Sequence, residues 1–143
     1  MPVPPQDLLK FLQDLVPFNR HLGILVAELG EGFARLELPF RPEFIGDQSR
    51  PALHGGVIST LIDTSGGFAV WSKIDLTDRV STIDLRVDYL SPAVADRLIA
   101  EATVVRVGNR VAVTDVRCFQ PAAPDRVVAT GKAVYNIKRS TDT

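Results

Sequence analysis

The longest stretch of helical periodicity lies near the middle of the chain. From His54 to about Ser72, Ile58, Leu61, Ile62, Ser65 and Ala69 recur at i, i+3, i+4, i+7 and i+11, which places them on one stripe and predicts a long helix with that stripe buried. The surrounding segments alternate with period two. In residues 22–40, two β-rich runs flank Gly30-Glu31-Gly32. Phe33, Arg35 and Glu37 there alternate with Ala34, Leu36 and Leu38, the pattern of a hairpin covered on one face. Four further β-rich runs, at 80–90, 97–107, 110–119 and 127–137, are separated by Ser91-Pro92, Gly108-Asn109 and the stretch 121–124, and the last two breaks suit hairpin turns. Ahead of Pro17, Leu8, Leu9, Leu12 and Leu15 predict a short amphipathic helix over 6–16. Residues 41–53, punctuated by Pro42, Gly46, Asp47, Ser49 and Pro51, fit neither period and read as a loop, and the polar end 138–143 reads as a frayed tail. This order implies an α+β fold: strands in an antiparallel meander, with the long helix packed on one face.

Composition narrows the class. The 143 residues, 45% of them hydrophobic, suit one domain with a substantial core. Sixteen basic and 17 acidic side chains nearly cancel, so no global field draws the chain to nucleic acid or to an anionic membrane. The single cysteine, Cys118, excludes an internal disulfide and argues against a zinc cluster; set in an apolar strand pattern, it reads as a packing residue rather than a nucleophile. No basic and apolar leader opens the sequence, and no run approaches the roughly 18 apolar residues that a membrane span needs, so the expected location is the cytoplasm.

The chemistry is expected on the other side of the long helix. At 100° per residue Gly56, Thr60, Asp63 and Gly67 share one face, made of small residues and one carboxylate. An ordinary solvated face carries Lys, Glu and Gln, whereas small residues four apart let another backbone or a ligand come close. At the helix start, Leu53-His54-Gly55-Gly56 exposes backbone N–H groups at the positive end of the helix dipole, able to polarise a carbonyl and to stabilise an oxyanion. Asp63 stands about 12 Å further along the axis, too far to act on the same carbonyl within one chain. Two antiparallel copies of the helix would bring Asp63 of one beside Gly55 of the other.

The segment HGGVISTLIDTSGGFAV resembles the His-Gly-Gly, seven residues, Asp/Glu signature of the 4-hydroxybenzoyl-CoA thioesterase superfamily, in particular its phenylacetate-degradation (PaaI-like) branch. Leu22-Gly23-Ile24, Pro51-Ala52-Leu53, the run from Val87 to Ala93 and Arg106-Val107-Gly108 also sit where that family has similar segments, so the resemblance spans about 22–137. It implies a hotdog fold, a five- or six-stranded antiparallel sheet wrapped around the long helix, working as a homodimer or a dimer of dimers. It implies an acyl-CoA thioesterase without a cofactor, CoA being part of the substrate and a product. Asp63 would be general base or nucleophile, and the Gly55 amide of the partner copy the oxyanion donor. Gln48 would contact the thioester or the attacking water, His54 would support the turn or the thioester sulfur, and Ser81 would position the water. Gly67 departs from members with Thr or Ser one turn after the carboxylate, which removes any hydroxyl contact there.

Beside these, Gly56 and Gly67 leave room for substrate, and Phe44, Phe68, Trp71 and Tyr89 are candidates to line an acyl pocket. Arg106, Asn109 and Arg110 at one turn, with Lys138 and Arg139 closing the last strand, offer charge for the phosphates of CoA. Three other readings compete. A non-catalytic acyl-CoA sensor would need no carboxylate at the helix midpoint. A hotdog hydratase or dehydratase places its His and acid differently. A structural dimerisation domain would leave an interfacial Asp as an unexplained cost.

Overall fold

The structure, a computed structural model, describes Leu9, Gln13, Asp14 and residues 16–141. The helix expected over 6–16 therefore lies largely outside the described residues. Within it Leu9, Gln13 and Asp14 are helical, Leu9 packs against the core, and Gln13 Oε1 accepts the Val26 N–H at 3.1 Å. Pro17 does not end the helical region but opens a second short helix, Pro17–Leu22, at the first-turn position where its missing N–H costs nothing. Gly23, left-handed at φ 77°, caps it by donating its N–H to the Arg20 carbonyl.

The strands are β1 (Leu25–Gly30), β2 (Phe33–Leu38), β3 (Ile45–Asp47), β4 (Ala52–Leu53), β5 (Arg79–Tyr89), β6 (Leu98–Val107), β7 (Val111–Phe119) and β8 (Ala129–Lys138), and the central helix is Gly55–Trp71. Six of them form one antiparallel sheet in the order β1-β2-β6-β7-β8-β5, and β3 with β4 makes a small ribbon. The region expected as an irregular loop thus holds that ribbon and a 3-10 turn, Pro42–Phe44. The meander expectation holds for β6-β7-β8 alone, because β5 pairs with β8 at the far edge. The connection after β5 explains the difference: instead of a tight turn, residues 90–97 cross over and are pinned on the way. Leu53 donates its N–H to Ala93 O at 2.9 Å, and buried Gln120 acts like a strand backbone, accepting from Val94 N–H and donating to Val94 O.

The helical stripe read from the sequence is the buried one: Ile58 is 4% exposed, and Leu61, Ile62, Ser65 and Ala69 are fully buried. Opposite it the sheet is paved with small residues, Ala34, Ala100, Ala102, Ala112, Ala129 and Ala133, all without exposure. At Gly131 on β8 a Cβ would lie 2.3 Å from Ile62 Cγ2, so the helix rests where a side chain would otherwise stand. β5 differs from every other strand in being exposed along most of its length, with Ile83, Tyr89 and the adjoining Leu90 all more than half exposed.

Beyond the helix, the loop to β5 is held by one buried carboxylate. Asp78 accepts the Ser140 N–H at 2.9 Å, the Asp75 N–H at 3.2 Å and Arg139 Nη1 at 3.2 Å, while its carbonyl accepts Trp71 Nε1 at 3.2 Å. Burial alone would raise its pKa, but these donors hold it below the usual carboxylate range. A lowered folded pKa adds stability above the unfolded value of about 3.9, lost as the pH falls through the lower folded one. Asp78→Asn should lower unfolding free energy by about 1.5–3 kcal/mol at neutral pH, in proportion to its charged hydrogen bonds. In urea titrations the gap between variant and parent should close below about pH 4; an unchanged gap there would refute the role given to ionised Asp78.

Candidate functional site

His54 stands at the N-cap of the central helix, and its Nδ1 accepts the Gly56 N–H at 2.8 Å. That bond requires an unprotonated Nδ1, so the neutral ring carries its proton on Nε2. The residue is placed by the β3–β4 ribbon: His54 donates its own N–H to Phe44 O at 2.8 Å, and Gly46 packs so closely that a Cβ there would lie 2.8 Å from His54 Cα. Val57 and Ile58 donate to the His54 carbonyl. Of the amides at this helix start, that of Gly55 finds no acceptor among the described residues. Gly55 also has a packing reason to lack a side chain. The Tyr89 hydroxyl donates to its carbonyl at 2.9 Å, and a Cβ would stand 3.3 Å from the Tyr89 ring.

Two turns along, half-buried Asp63 is gripped from two strands. Thr82 Oγ1 on β5 donates to Oδ1 at 2.8 Å, and the Tyr135 hydroxyl on β8 donates to the Asp63 carbonyl at 2.6 Å. Burial first, and then the Asp63 carboxylate, push the Tyr135 phenol well above its ordinary range, so it stays a donor at any physiological pH. The Gly66-Gly67 pair makes room for that hydroxyl, since a Cβ on Gly66 would lie 2.2 Å from Tyr135 Oη and 2.7 Å from Thr114 Oγ1. Around Asp63 opens a cleft of about 160 Å³, walled by Val16, Phe68, Trp71 and Val80 on its apolar side and by Asn19, Thr64, Thr82 and Tyr135 on its polar one, with Gly67 between.

The residues expected from the sequence are therefore only partly gathered. Asp63 and Gly67 share the cleft, while His54, Gly55 and Gly56 form the helix start eight residues earlier. Ser81 pairs with exposed Asn136 on the outer face of the sheet, and the hydroxyl on Asp63 belongs to its neighbour Thr82, which pairs with Tyr135. Counting from Asp63 gave two adjacent hydroxyl residues, and a step of one along a strand changes the face. Gln48 lies exposed in the turn that Asp47 organises by accepting from Ser49 and Arg50. Phe68 and Trp71 do line the cleft; Phe44 instead packs beneath the Arg41 guanidinium, 4.7 Å from its ring centre, and Tyr89 packs on Gly55. Cys118 is fully buried, its thiol pushed up to about 12 by burial, as suits a packing residue.

Arg106, Asn109 and Arg110 line a separate cleft of about 400 Å³ with Gly108, Val111 and Val113 at the β6–β7 turn, and neither arginine is ion-paired among the described residues. Arg139 is not free for phosphate: it donates to Asp78, Gly108 O and Asn109 O and holds the same turn together. Tyr135 was missed as a site residue, although the alternation of Ala133, Tyr135 and Ile137 along β8 already puts it on the helix side.

Residues 51–123 match the thioesterase superfamily. The medium/long-chain acyl-CoA thioesterase YigI of Escherichia coli is 37% identical over 135 residues, 85% of this chain and 86% of that protein. Among solved structures, a thioesterase-superfamily protein at 34% identity superposes with a TM-score of 0.85, covering 92% of this chain and 97% of the other. A thioesterase-family protein of Silicibacter pomeroyi, 25% identical, gives 0.84 over 93% and 97%.

The two adjacent glycines should respond differently to the same substitution. Gly66→Ala collides with Tyr135 and Thr114 and should cost about 1–3 kcal/mol. Gly67→Ala meets nothing nearer than Tyr135 Cε1 at 3.8 Å and should stay within about 1 kcal/mol of the parent. Equal denaturation midpoints for the two variants would contradict the placement of Tyr135.

Proposed function

The chain belongs to the thioesterase superfamily, and from that premise we propose that it hydrolyses acyl-CoA thioesters to a free acid and CoA at the Asp63 cleft. The observation that carries the reading is the Asp63 carboxylate itself, fixed by Thr82 at one oxygen in a cleft with an apolar wall of Val16, Phe68, Trp71 and Val80. As general base, Asp63 takes a proton from water as the water attacks the thioester carbonyl; as nucleophile, it attacks that carbon to form a mixed anhydride that water then opens. On either route the C–S bond breaks and the electron pair leaves with the CoA sulfur, which is protonated to the thiol. Gly55 N–H supplies the oxyanion contact from a second copy, because within one helix it stands about 12 Å from Asp63. The second copy covers what this chain leaves open, the β5 edge with Ile83 and Leu90 and the part of the small-residue face that holds Gly56, Thr60 and Asp63. Gln48, exposed in one chain, and the Nε2 edge of His54 are then available to the thioester, and Arg106 and Arg110 to the phosphates of CoA. The acyl group is aromatic or of short to medium length, in keeping with the phenylacetate-degradation type of signature and with the size of the cleft. A carboxylate held by a dedicated hydroxyl favours hydrolysis over mere sensing of acyl-CoA.

Asp63→Asn should reduce kcat by about a hundredfold or more with folding intact, as expected for a lost general base. Thr82→Val should lower kcat by about tenfold, as for a misplaced base, whereas Ser81→Ala should leave it within about twofold. Thiol release measured across aryl and alkyl acyl-CoAs decides this. Near-parent turnover by Asp63→Asn would favour the sensor, and a larger effect at Ser81 than at Thr82 would overturn the assignment of the hydroxyl.

The shared site predicts complementation. Asp63→Asn and Gly55→Pro are each inactive, and Gly55→Pro is checked for folding because the new Cβ approaches the Tyr89 ring at 3.3 Å. Refolded together, about half the dimers are mixed, each with one intact site, so roughly a quarter of parent activity should return. Demonstrably mixed dimers that stay inactive would mean that Asp63 finds its oxyanion donor in its own chain.

A further inference from the structure

The cleft beside Asp63 has two unlike ends. β5 runs antiparallel alongside the central helix, with Tyr89 bonded to Gly55 and Thr82 to Asp63. Stepping back along the inner face of β5 from Thr82 to Val80 therefore moves about 7 Å toward the helix C-terminus. On the helix, Asp63, Gly67 and Trp71 follow one another at four-residue steps on one face, and Trp71 stands about 12 Å beyond Asp63 along the axis. All five of these residues line the cleft. Its Asp63 end is polar, with Thr82 and Tyr135 bonded there; toward the other end stand the apolar side chains of Phe68, Val80 and Trp71.

Trp71 closes that apolar end. It is the last residue of the helix, and its Nε1 donates at 3.2 Å to the carbonyl of Asp78, the residue before β5 begins. The indole thus reaches from one wall of the cleft to the other, where the chain turns between them. It is half-buried and packs against both apolar clusters of the core, and Asp78 is itself held by Ser140, Asp75 and Arg139. Between carboxylate and indole the row is open, because Gly67 has no side chain and a Cβ there would meet nothing nearer than Tyr135 Cε1 at 3.8 Å.

We propose that Trp71 is the specificity residue that limits acyl length: the acyl chain leaves the thioester at Asp63, passes over Gly67 and ends against the indole. The inference rests on the reading of the Asp63 cleft as the acyl site. Each methylene added short of the indole gains apolar contact, whereas the next must displace the ring or draw the thioester away from the carboxylate. The ring does not yield freely, since swinging aside breaks its bond to a fixed carbonyl. One methylene too many in such a pocket costs about tenfold or more in kcat/KM.

Trp71 is the sole tryptophan of the chain, so its fluorescence reports on the indole directly. In the inactive Asp63→Asn protein, straight-chain acyl-CoAs from acetyl to hexadecanoyl should leave the emission as free CoA leaves it while too short to reach the indole, and shift it once they touch it. Turnover by the unmodified enzyme should rise along the same series and then drop in kcat/KM by about tenfold or more where the chain outgrows the cleft. Trp71→Leu and the milder Trp71→Phe, each checked for folding, should move that drop to longer chains, further in the leucine variant. A drop at the same length in a folded variant, a loss equal for all lengths as a structural role would give, or an emission shift independent of chain length overturns the proposal while leaving thioester hydrolysis in place. An unmodified enzyme that shows no drop along the series overturns it too. Hydrolysis of no member would instead refute the acyl-CoA reading, and the length limit with it.

Discussion

The architecture depends on how near the central helix can come to the sheet. Six alanines and Gly131 form the floor, and Ile62 reaches into the space that a Cβ at Gly131 would fill. On the helix side, Gly66 yields the same kind of space to the Tyr135 hydroxyl. Larger residues at these positions would hold the two layers apart, and each added methylene in so close a packing must be met by displacement. Where Gly66 and Gly131 reduce one layer or the other to backbone, the two come close enough for the Tyr135 hydroxyl of β8 to reach a helix carbonyl in mid-span.

That proximity is what makes Asp63 a fixed group. A side chain in mid-helix ordinarily has its backbone carbonyl satisfied by the residue one turn on, yet here the Tyr135 hydroxyl also donates to it from β8 at 2.6 Å. The carboxylate is then held from β5 by Thr82. Backbone and side chain of one residue are thus referred to two neighbouring strands, whose own register is fixed by the pairing of Thr82 with Tyr135. A carboxylate held in this way would lose little freedom on meeting a substrate, which is the condition the proposed proton transfer or attack requires. The fold supplies this before any ligand is present, through two strands paired along their whole length.

Much of this was legible in the residues. The helix stripe is visible because five buried positions repeat at helical spacing within the seventeen-residue helix, and β2 is visible because its burial alternates without interruption. That Gly55 opens the central helix and Asp63 stands near its middle was legible from the helix start and the small face. Ser81 and Thr82 were not separable, since both are hydroxyl residues and only the pairing of β5 with β8 says which one looks inward. The position of β5 was hidden for a related reason: short-range patterns say that a strand exists, whereas its neighbour is decided by a crossover of eight residues and by Gln120, far away in sequence. Arg139 looked like a free cation because its acceptors, Asp78 and two turn carbonyls, are recruited by tertiary structure alone.

The same geometry bears on how two copies would meet. β5 runs beside the central helix and is tied to it at both ends of the region of interest, by Thr82 on Asp63 and by Tyr89 on Gly55. The open sheet edge and the small-residue face are therefore adjacent, and one partner surface is enough to cover both. Two strand edges joined antiparallel across a two-fold axis carry their helices antiparallel with them, since each helix is fixed to its own β5. An axis crossing β5 between Thr82 and Tyr89 crosses the helix between Gly55 and Asp63, and so sets the Asp63 of one copy toward the Gly55 of the other. The direction follows from those two hydrogen bonds, without any separate requirement on the helix contact. The Gly55 amide, without an acceptor among the described residues, the half-buried carboxylate and the uncovered strand would then be three aspects of one surface, and on the proposed reading a copy that extended the sheet would also bring the two halves of the site together.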